Sequence, residues 1–236
     1  MNSVGIATHN GELFIKDQVL SILTQLNEND EIIISDDGST DKTIEILLSL
    51  KDERIHILNY KQPIKSKHTH SYVCKNFENA IRNAKGDIIF LADQDDWWMP
   101  NKVEVCLRAL KENTLVVHQA EFCDANLNFN GRLMYKNEFV FKNFLSIRRG
   151  KYYGCTLAFR RELLKNILPF PKQLMLHDHW IGCMAELTGT VFYEKQPLMK
   201  YRLHGANTSK SQSKKSLFFK IYYRIYMGIS LFFNKR

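Results

Sequence analysis

The sequence predicts an α/β fold with a mainly parallel central sheet flanked by helices. Three observations carry that expectation. Short apolar runs alternate with segments of helical period over roughly the first ninety residues. The runs end in polar turns rich in carboxylates, the position at which open α/β sheets bind ligands. Of the 236 residues, 44% are hydrophobic, enough for one sizeable core.

Residues 4–7 read as the first strand, and Asn10-Gly11 marks the turn that leaves it. Leu13, Ile15, Val19, Leu20, Ile22, Leu23 and Leu26 then recur at helical spacing. A second strand, 31–35, ends in Asp36-Asp37-Gly38-Ser39-Thr40-Asp41 and is followed by a helix carrying Ile44, Ile46, Leu47 and Leu50. A third strand at 54–58 and a third helix at 72–84 enclose a basic loop, 61–70, which reads either as a phosphate cover or as a solvated surface loop. The fourth strand, 86–92, delivers Asp93-Gln94-Asp95-Asp96.

Beyond it a helix is expected at 100–110, then a strand at 115–119; only the alternative reading of the acidic run, a solvated turn and helix start, puts Pro100 in the first turn and Asp96 near the cap. Asn126, Asn128, Asn130 and Gly131 suggest a hairpin, and an apolar segment follows at 139–147. Residues 154–159 are strand-like, 161–168 form a short helix ended by Pro169 and Pro171, and a longer helix opens at His177. Two short strands are expected at 191–193 and 199–202. The organisation predicted is a domain over 1–209, with a nucleotide-binding half (1–96) and an acceptor-binding half (97–209), and a basic amphipathic tail at 210–236.

The formal charge is +8, yet Lys210, Lys214, Lys215, Lys220, Arg224, Lys235 and Arg236 stand in a tail without acids, which leaves the body close to neutral. That distribution argues against a nucleic-acid-binding surface. Five scattered cysteines with no C-x-x-C spacing argue against a disulfide framework or structural zinc and suit a reducing cytosol. No signal peptide is expected, since Met1-Asn2-Ser3 leads directly into a strand. In the tail, the apolar run at 217–233 is interrupted by Lys220 and Arg224, too short and too charged for a bilayer span. It reads as a helix lying on an anionic membrane, with a final core helix or a dimer contact as the alternatives.

Three carboxylates in four residues after a buried strand repel one another unless a cation or a hydroxyl-rich ligand sits among them; a solvated helix start is the structural alternative. Asp36 and Asp37 exceed what a helix cap requires, and a carboxylate there can accept from the imide or amino group of a base. Asp178, remote from the acidic cluster, is either a general base toward a hydroxyl or a helix-start acid that favours the dipole. His204, in a turn after a strand, is a candidate metal ligand or an ordinary surface imidazole.

Taken together, Ala7-Thr8-His9-Asn10, the run from Ser35 to Asp41, Asp93-Gln94-Asp95-Asp96 with Trp98 and Pro100, His177-Asp178 and Tyr201-Arg202-Leu203-His204 resemble the family 2 inverting glycosyltransferases over roughly residues 1 to 209. The likeness is greatest to bacterial rhamnosyltransferase-like members of surface-polysaccharide pathways. It implies the Rossmann-like GT-A fold. It also implies that Thr8, His9 and Asp37 contact the nucleoside, within a nucleotide-sugar-binding set of Thr8, His9, Asn10, Asp36, Asp37, Asp93 and Gln94. Asp93 would hold the ribose and assist the metal, Asp95 would ligate Mn²⁺ or Mg²⁺, and His204 would be a second protein ligand. Asp178 would be the catalytic base. The chain departs from the family in having His9 where Tyr is common and His177 where Glu is frequent. It also lacks the Gln-x-x-Arg-Trp pattern of processive synthases, which implies one sugar added per encounter.

The function so implied is metal-dependent, inverting transfer of a sugar from a UDP- or dTDP-type donor to a hydroxyl of a glycan or lipid-linked acceptor in surface polysaccharide synthesis. The expected location is the cytoplasm, peripherally on the inner face of the cell membrane. A sugar nucleotidyltransferase is the enzyme alternative, although its Gly-rich basic loop is missing after the first strand. A nucleotide-sugar-binding module without chemistry is the other.

Overall fold

The computed structural model describes residues 1–60, 69–135, 152–205 and 217–233. Outside them lie positions 61–68 of the basic loop, the apolar segment at 139–147, the polar link at 210–216 and the expected boundary at 209/210.

The first half follows the expected alternation: β1 (Asn2–Thr8), α1 (Ile15–Leu23), β2 (Glu31–Asp36), α2 (Thr43–Ser49), β3 (Ile55–Asn59), α3 (Thr69–Asn83) and β4 (Ile88–Ala92). These four strands lie side by side in the order β3-β2-β1-β4, all parallel. Their apolar runs are continuous because β1 and β2 are covered on both faces, and almost every residue in them is buried. Within α1, Ile15, Val19 and Ile22 form the inward stripe, whereas Leu20 and, just before the helix, Leu13 point to solvent. Helical spacing alone had counted both among the apolar positions.

The second half adds β5 (Trp97–Trp98), α4 (Lys102–Ala109), β6 (Leu115–Cys123), β7 (Phe129–Leu133), β8 (Leu157–Arg160), α5 (Leu164–Ile167), α6 (His177–Thr188), β9 (Val191–Arg202) and α7 (Leu217–Phe233). The sheet continues as β8-β6-β9-β5, with β7 paired to β6. Six strands, β3, β2, β1, β4, β6 and β9, point one way; β8, β5 and β7 oppose them. The sheet is therefore mixed, with mostly parallel strands.

Several expectations need correction. The two short strands after α6 are one strand, β9, whose register against β6 shifts on both sides of Gln119; Pro197, with no N–H to give, sits at that irregularity. The segment expected to be strand-like from 154 begins as a 3-10 turn, Gly154–Thr156, before β8. In the hairpin, the turn is organised by Asp124, whose carboxylate accepts from the amides of Asn126 and Asn128, while Asn130 and Gly131 fall inside β7. Pro100 precedes α4, which starts at Lys102 after Asn101 in the left-handed region at φ 72°.

One core runs the length of the sheet and encloses Phe90, Trp98, Phe159 and Trp180 completely or nearly so. Phe90, on β4 beside the acidic turn, packs its ring 5.6 Å from that of Trp98. Truncation by Phe90→Ala is expected to cost about 3–5 kcal/mol, read as a lowered urea midpoint at unchanged slope.

Candidate active site

The carboxyl ends of β1, β2 and β4 lie side by side, because Thr8 is level with Asp36 and Ile6 with Ala92. Residues far apart in sequence thereby share one edge. Gln94 fastens that edge: its Oε1 accepts from Thr8 Oγ1 at 2.6 Å and from the His9 amide at 2.9 Å, and its Nε2 donates to the His9 carbonyl at 3.2 Å. A Cβ at Gly11 would stand 2.7 Å from Gln94 Oε1, so glycine is what lets the amide close on the loop.

Asp36 is likewise spent on structure. Its Oδ2 accepts from the amides of Gly38 and Ser39, and its Oδ1 from Ser39 Oγ at 2.5 Å, with the side chain buried. Asp36 and Gln94, both expected in the nucleotide-sugar-binding set, thus have their side chains hydrogen-bonded to the neighbouring loops. Thr8 is buried and its hydroxyl is donated to Gln94. Asn10 accepts from the Thr40 amide at 2.8 Å, holding the two loops together from an exposed position. His9 is exposed with its Nδ1 3.1 Å from the Asp37 carbonyl, so the ring donates there and presents Nε2 outward, 3.4 Å from Asn10 Nδ2. Asp37 is half-buried beside it.

The loop that leaves β4 at this edge is acidic. β5 pairs with β9, Trp97 level with Lys200, and this brings residues 95 and 96 against the end of β9. Arg202 staples the contact: its amide donates to Asp96 Oδ1 and its Nε to the Asp95 carbonyl, both at 3.0 Å. Its guanidinium lies 4.5 Å from the centre of the Phe14 ring, and the same ring packs 4.6 Å from His204. His204 Nε2 stands 2.8 Å from Asp95 Oδ2.

Asp96, which the helix-start alternative put near a cap, is fully buried, and among the described residues its Oδ2 has no hydrogen-bond partner. Burial and the charges of Asp95 and Asp93 hold its carboxyl well above the usual range. Asp93, partly open, is pushed up to about 7 by burial first, then by Asp95 and by Asp178. Beneath them lies Lys102, fully buried, donating to the Cys155 carbonyl at 3.0 Å and resting 4.0 Å over the Trp98 ring. Desolvation lowers its ammonium to about 8, partly offset by Asp96 and Asp93. Sequence reasoning missed Lys102; the only signal was a cation at an inward position of α4.

Asp178 stands in the first turn of α6, partly open, its Oδ1 accepting from the His179 amide at 2.7 Å. Burial raises its carboxyl to about 6. The helix start is pinned by His177, whose ring stacks 4.2 Å from Phe77 with Nδ1 3.9 Å from Cys74 Sγ. Burial pushes that imidazole down to about 3, so it is a neutral packing group. A Cβ at Gly154 would lie 2.6 Å from His177 Nε2. Gly154→Ala is thus expected to displace the ring and the first turn with it, lowering the melting temperature, which differential scanning calorimetry would record.

The donor set suits a hard divalent cation. Cys155 Sγ lies within 4.8 Å of ligand atoms of Asp93 and Asp96, but burial lifts the thiol well above its usual range and it donates to Asp93, so it keeps its proton. The carboxyl oxygens of Asp93 and Asp96 are what remain of that cluster, while Asp95 and His204 pair with each other. The 2.8 Å between Asp95 Oδ2 and His204 Nε2 is a hydrogen-bond distance.

A family model described as glycosyl transferase family 2 matches residues 3–168. The chain belongs to glycosyl transferase family 2. A protein of Haemophilus influenzae described as an uncharacterized glycosyltransferase is 26% identical over 228 residues, covering 94% of this chain and 87% of its own length. The dTDP-rhamnosyl transferase RfbG of Shigella flexneri is 27% identical over 232 residues, covering 90% and 78%. Among solved structures, TarS 1-349 of S. aureus in complex with UDP-GlcNAc superposes with a TM-score of 0.72 at 18% identity; 97% of this chain is covered, and it spans about two thirds (66%) of the TarS chain. The mannosyltransferase PcManGT from Pyrobaculum calidifontis, in complex with GDP-Man and Mn²⁺, gives 0.60 at 16% identity, covering 99% and 72%. Likeness at such identities concerns the fold, and the fold of this family 2 glycosyltransferase is that of GT-A neighbours.

Proposed function

We propose that this family 2 glycosyltransferase moves a sugar from a nucleoside diphosphate, with inversion and with the help of Mn²⁺ or Mg²⁺, to a hydroxyl of a glycan or lipid-linked saccharide in surface polysaccharide synthesis. The observation that carries the reading is electrostatic: Asp178, remote in sequence, lies close enough to Asp93 for its charge to oppose Asp93's ionisation. A raised carboxyl therefore lies within electrostatic reach of the Asp93 carboxyl.

In this reading the exposed His9 and half-buried Asp37 meet the base, with Thr8, Asn10, Asp36 and Gln94 shaping the loops that present them. Asp93 accepts from the ribose hydroxyls, and Asp93, Asp95 and His204 hold the cation, as in a DXD motif. The bound cation supplies positive charge beside the diphosphate. Asp178 takes the proton of the acceptor hydroxyl as that oxygen attacks the anomeric carbon, and the bond to the diphosphate breaks on the opposite side. Half-burial of Asp178 keeps it basic enough for this while leaving a path for the acceptor. The names of the Shigella relative and of the two solved complexes support a nucleotide-sugar donor, dTDP- or UDP-type before GDP, with rhamnose the first sugar to try. We place the protein on the inner face of the cell membrane.

Calorimetry with UDP, dTDP and GDP, each with and without Mn²⁺, tests the reading. One diphosphate is expected to bind at least tenfold more tightly with Mn²⁺, about 1.4 kcal/mol. Absence of binding by all three would refute it, and binding with no turnover of any sugar donor would favour a module without chemistry.

A further inference from the structure

The tail helix α7 shows an inverted pattern. Met227, Ser230 and Leu231 are buried, with Tyr223 and Tyr226 partly so, and they define the face packed on the body. The opposite face is apolar and open: Ile221, Ile225, Ile229 and Phe232 are 48%, 58%, 53% and 77% exposed, and their spacing puts them on one stripe. Arg224 and Gly228 lie at the border between the two faces. An ordinary surface helix carries charge where this one carries isoleucine.

The packed face grips one segment. Tyr223 Oη accepts from the Met175 amide at 3.0 Å, Tyr226 Oη accepts from the Gln173 amide at 3.1 Å, and Tyr222 donates to Gln173 Oε1 at 2.9 Å. That segment runs directly into His177 and Asp178 at the start of α6. The charge of Asp178 is felt at the Tyr223 hydroxyl, so the clamp sits close behind the carboxylate.

Two occupants could cover the open stripe. In sequence the tail from 210 to 236 carries seven basic and no acidic residues, so like-charge repulsion opposes pairing of two copies through it. An anionic lipid surface satisfies the same cations and takes up the isoleucines. The helix cannot cross it: 17 residues rise about 26 Å, short of the roughly 30 Å hydrocarbon layer.

We propose that α7 is a membrane-reading positioning element: its outward stripe enters the interface of an anionic bilayer, while Tyr223 and Tyr226 on its inward face hold Met175 and Gln173, in the segment that leads into the first turn of α6 and Asp178. Docking on lipid orders that segment, so transfer is faster at the surface where a lipid-linked acceptor lies. The second half of this statement rests on the assignment of Asp178 as base, and the first half does not.

The test uses the full chain and vesicles of phosphatidylcholine with or without phosphatidylglycerol. Sedimentation with the anionic vesicles is expected, weakened by high salt, and reduced at least tenfold in Ile225→Glu/Ile229→Glu with nucleotide affinity unchanged. Amide exchange at Gln173 and Met175 is expected to slow when anionic vesicles are added. Tyr223→Phe should keep vesicle binding and lose the protection at Met175. Failure of the intact chain to sediment, or a concentration-dependent dimer dissolved by the double variant, overturns the membrane assignment. Vesicle binding that leaves exchange at Gln173 and Met175 unchanged overturns the coupling, whatever the fate of the transferase reading.

Discussion

Asp178→Asn is expected to lower transfer by about 10² to 10⁴, some 3–5 kcal/mol in the barrier, while leaving nucleotide and Mn²⁺ affinity within a factor of about two. The amide keeps the volume and can still accept from the His179 amide, but it cannot take a proton from the attacking hydroxyl. Since the effect falls on the chemical step, it should appear in kcat and in kcat/KM together. The same residue sets the pH dependence. Burial raises its carboxyl to about 6, so the competent ionised form is lost as pH falls through that value. The rate should fall tenfold per unit below the midpoint and level off above it. A cation bound beside Asp93 lowers the local negative charge and moves the midpoint toward acid. Stopped assays of the wild type between pH 4.5 and 8 (assay conditions, roughly the span in which carboxyl and imidazole groups titrate) would show the limb, and its absence in Asp178→Asn would assign it.

Asp95→Ala carries the second large effect. Asp95 is bonded to His204 at 2.8 Å and its charge raises the carboxyls of both Asp93 and Asp96. Its removal takes away a ligand of the proposed cation and relieves the charge repulsion at Asp93 and Asp96. Diphosphate affinity in saturating Mn²⁺ should drop by about 100-fold or more, roughly 2.7 kcal/mol, and should no longer depend on Mn²⁺. Mn²⁺ should raise the melting temperature of the wild type and leave that of the variant unmoved. Calorimetry and thermal scans on the two proteins report both outcomes. Persistence of Mn²⁺-linked nucleotide binding in the variant would remove Asp95 from the metal site.

The parallel half of the fold was legible because strands buried on both faces leave unbroken apolar runs, as at Ile32, Ile33 and Ile34, all buried in β2. The other half was less so. β5 is two tryptophans and gives no period to read, and β9 is disguised as two strands by Pro197 and its shifted register. Strand direction is not written locally either: nothing in residues 157–160 says that β8 runs against β4.

Within the site, residue type was readable and availability was not. Asp36 and Asp37 look equivalent in sequence, yet the former gives both oxygens to Gly38 and Ser39. Gln94 lies inside the acidic run, and its amide is consumed by Thr8 and His9. Asp96 belongs to the same acidic run, yet it is fully buried and the Arg202 amide takes one of its oxygens. The pairing of Asp95 with His204, by contrast, was reachable from the sequence through family likeness. No local pattern would join positions 109 residues apart.

The measurement that bears most directly on the whole account is the anomeric configuration of the transfer product, determined by nuclear magnetic resonance on the glycoside formed from a donor of known configuration. A single displacement driven by Asp178 predicts a product inverted relative to the donor. A retained configuration would contradict it, because one displacement by an acceptor oxygen inverts the anomeric centre.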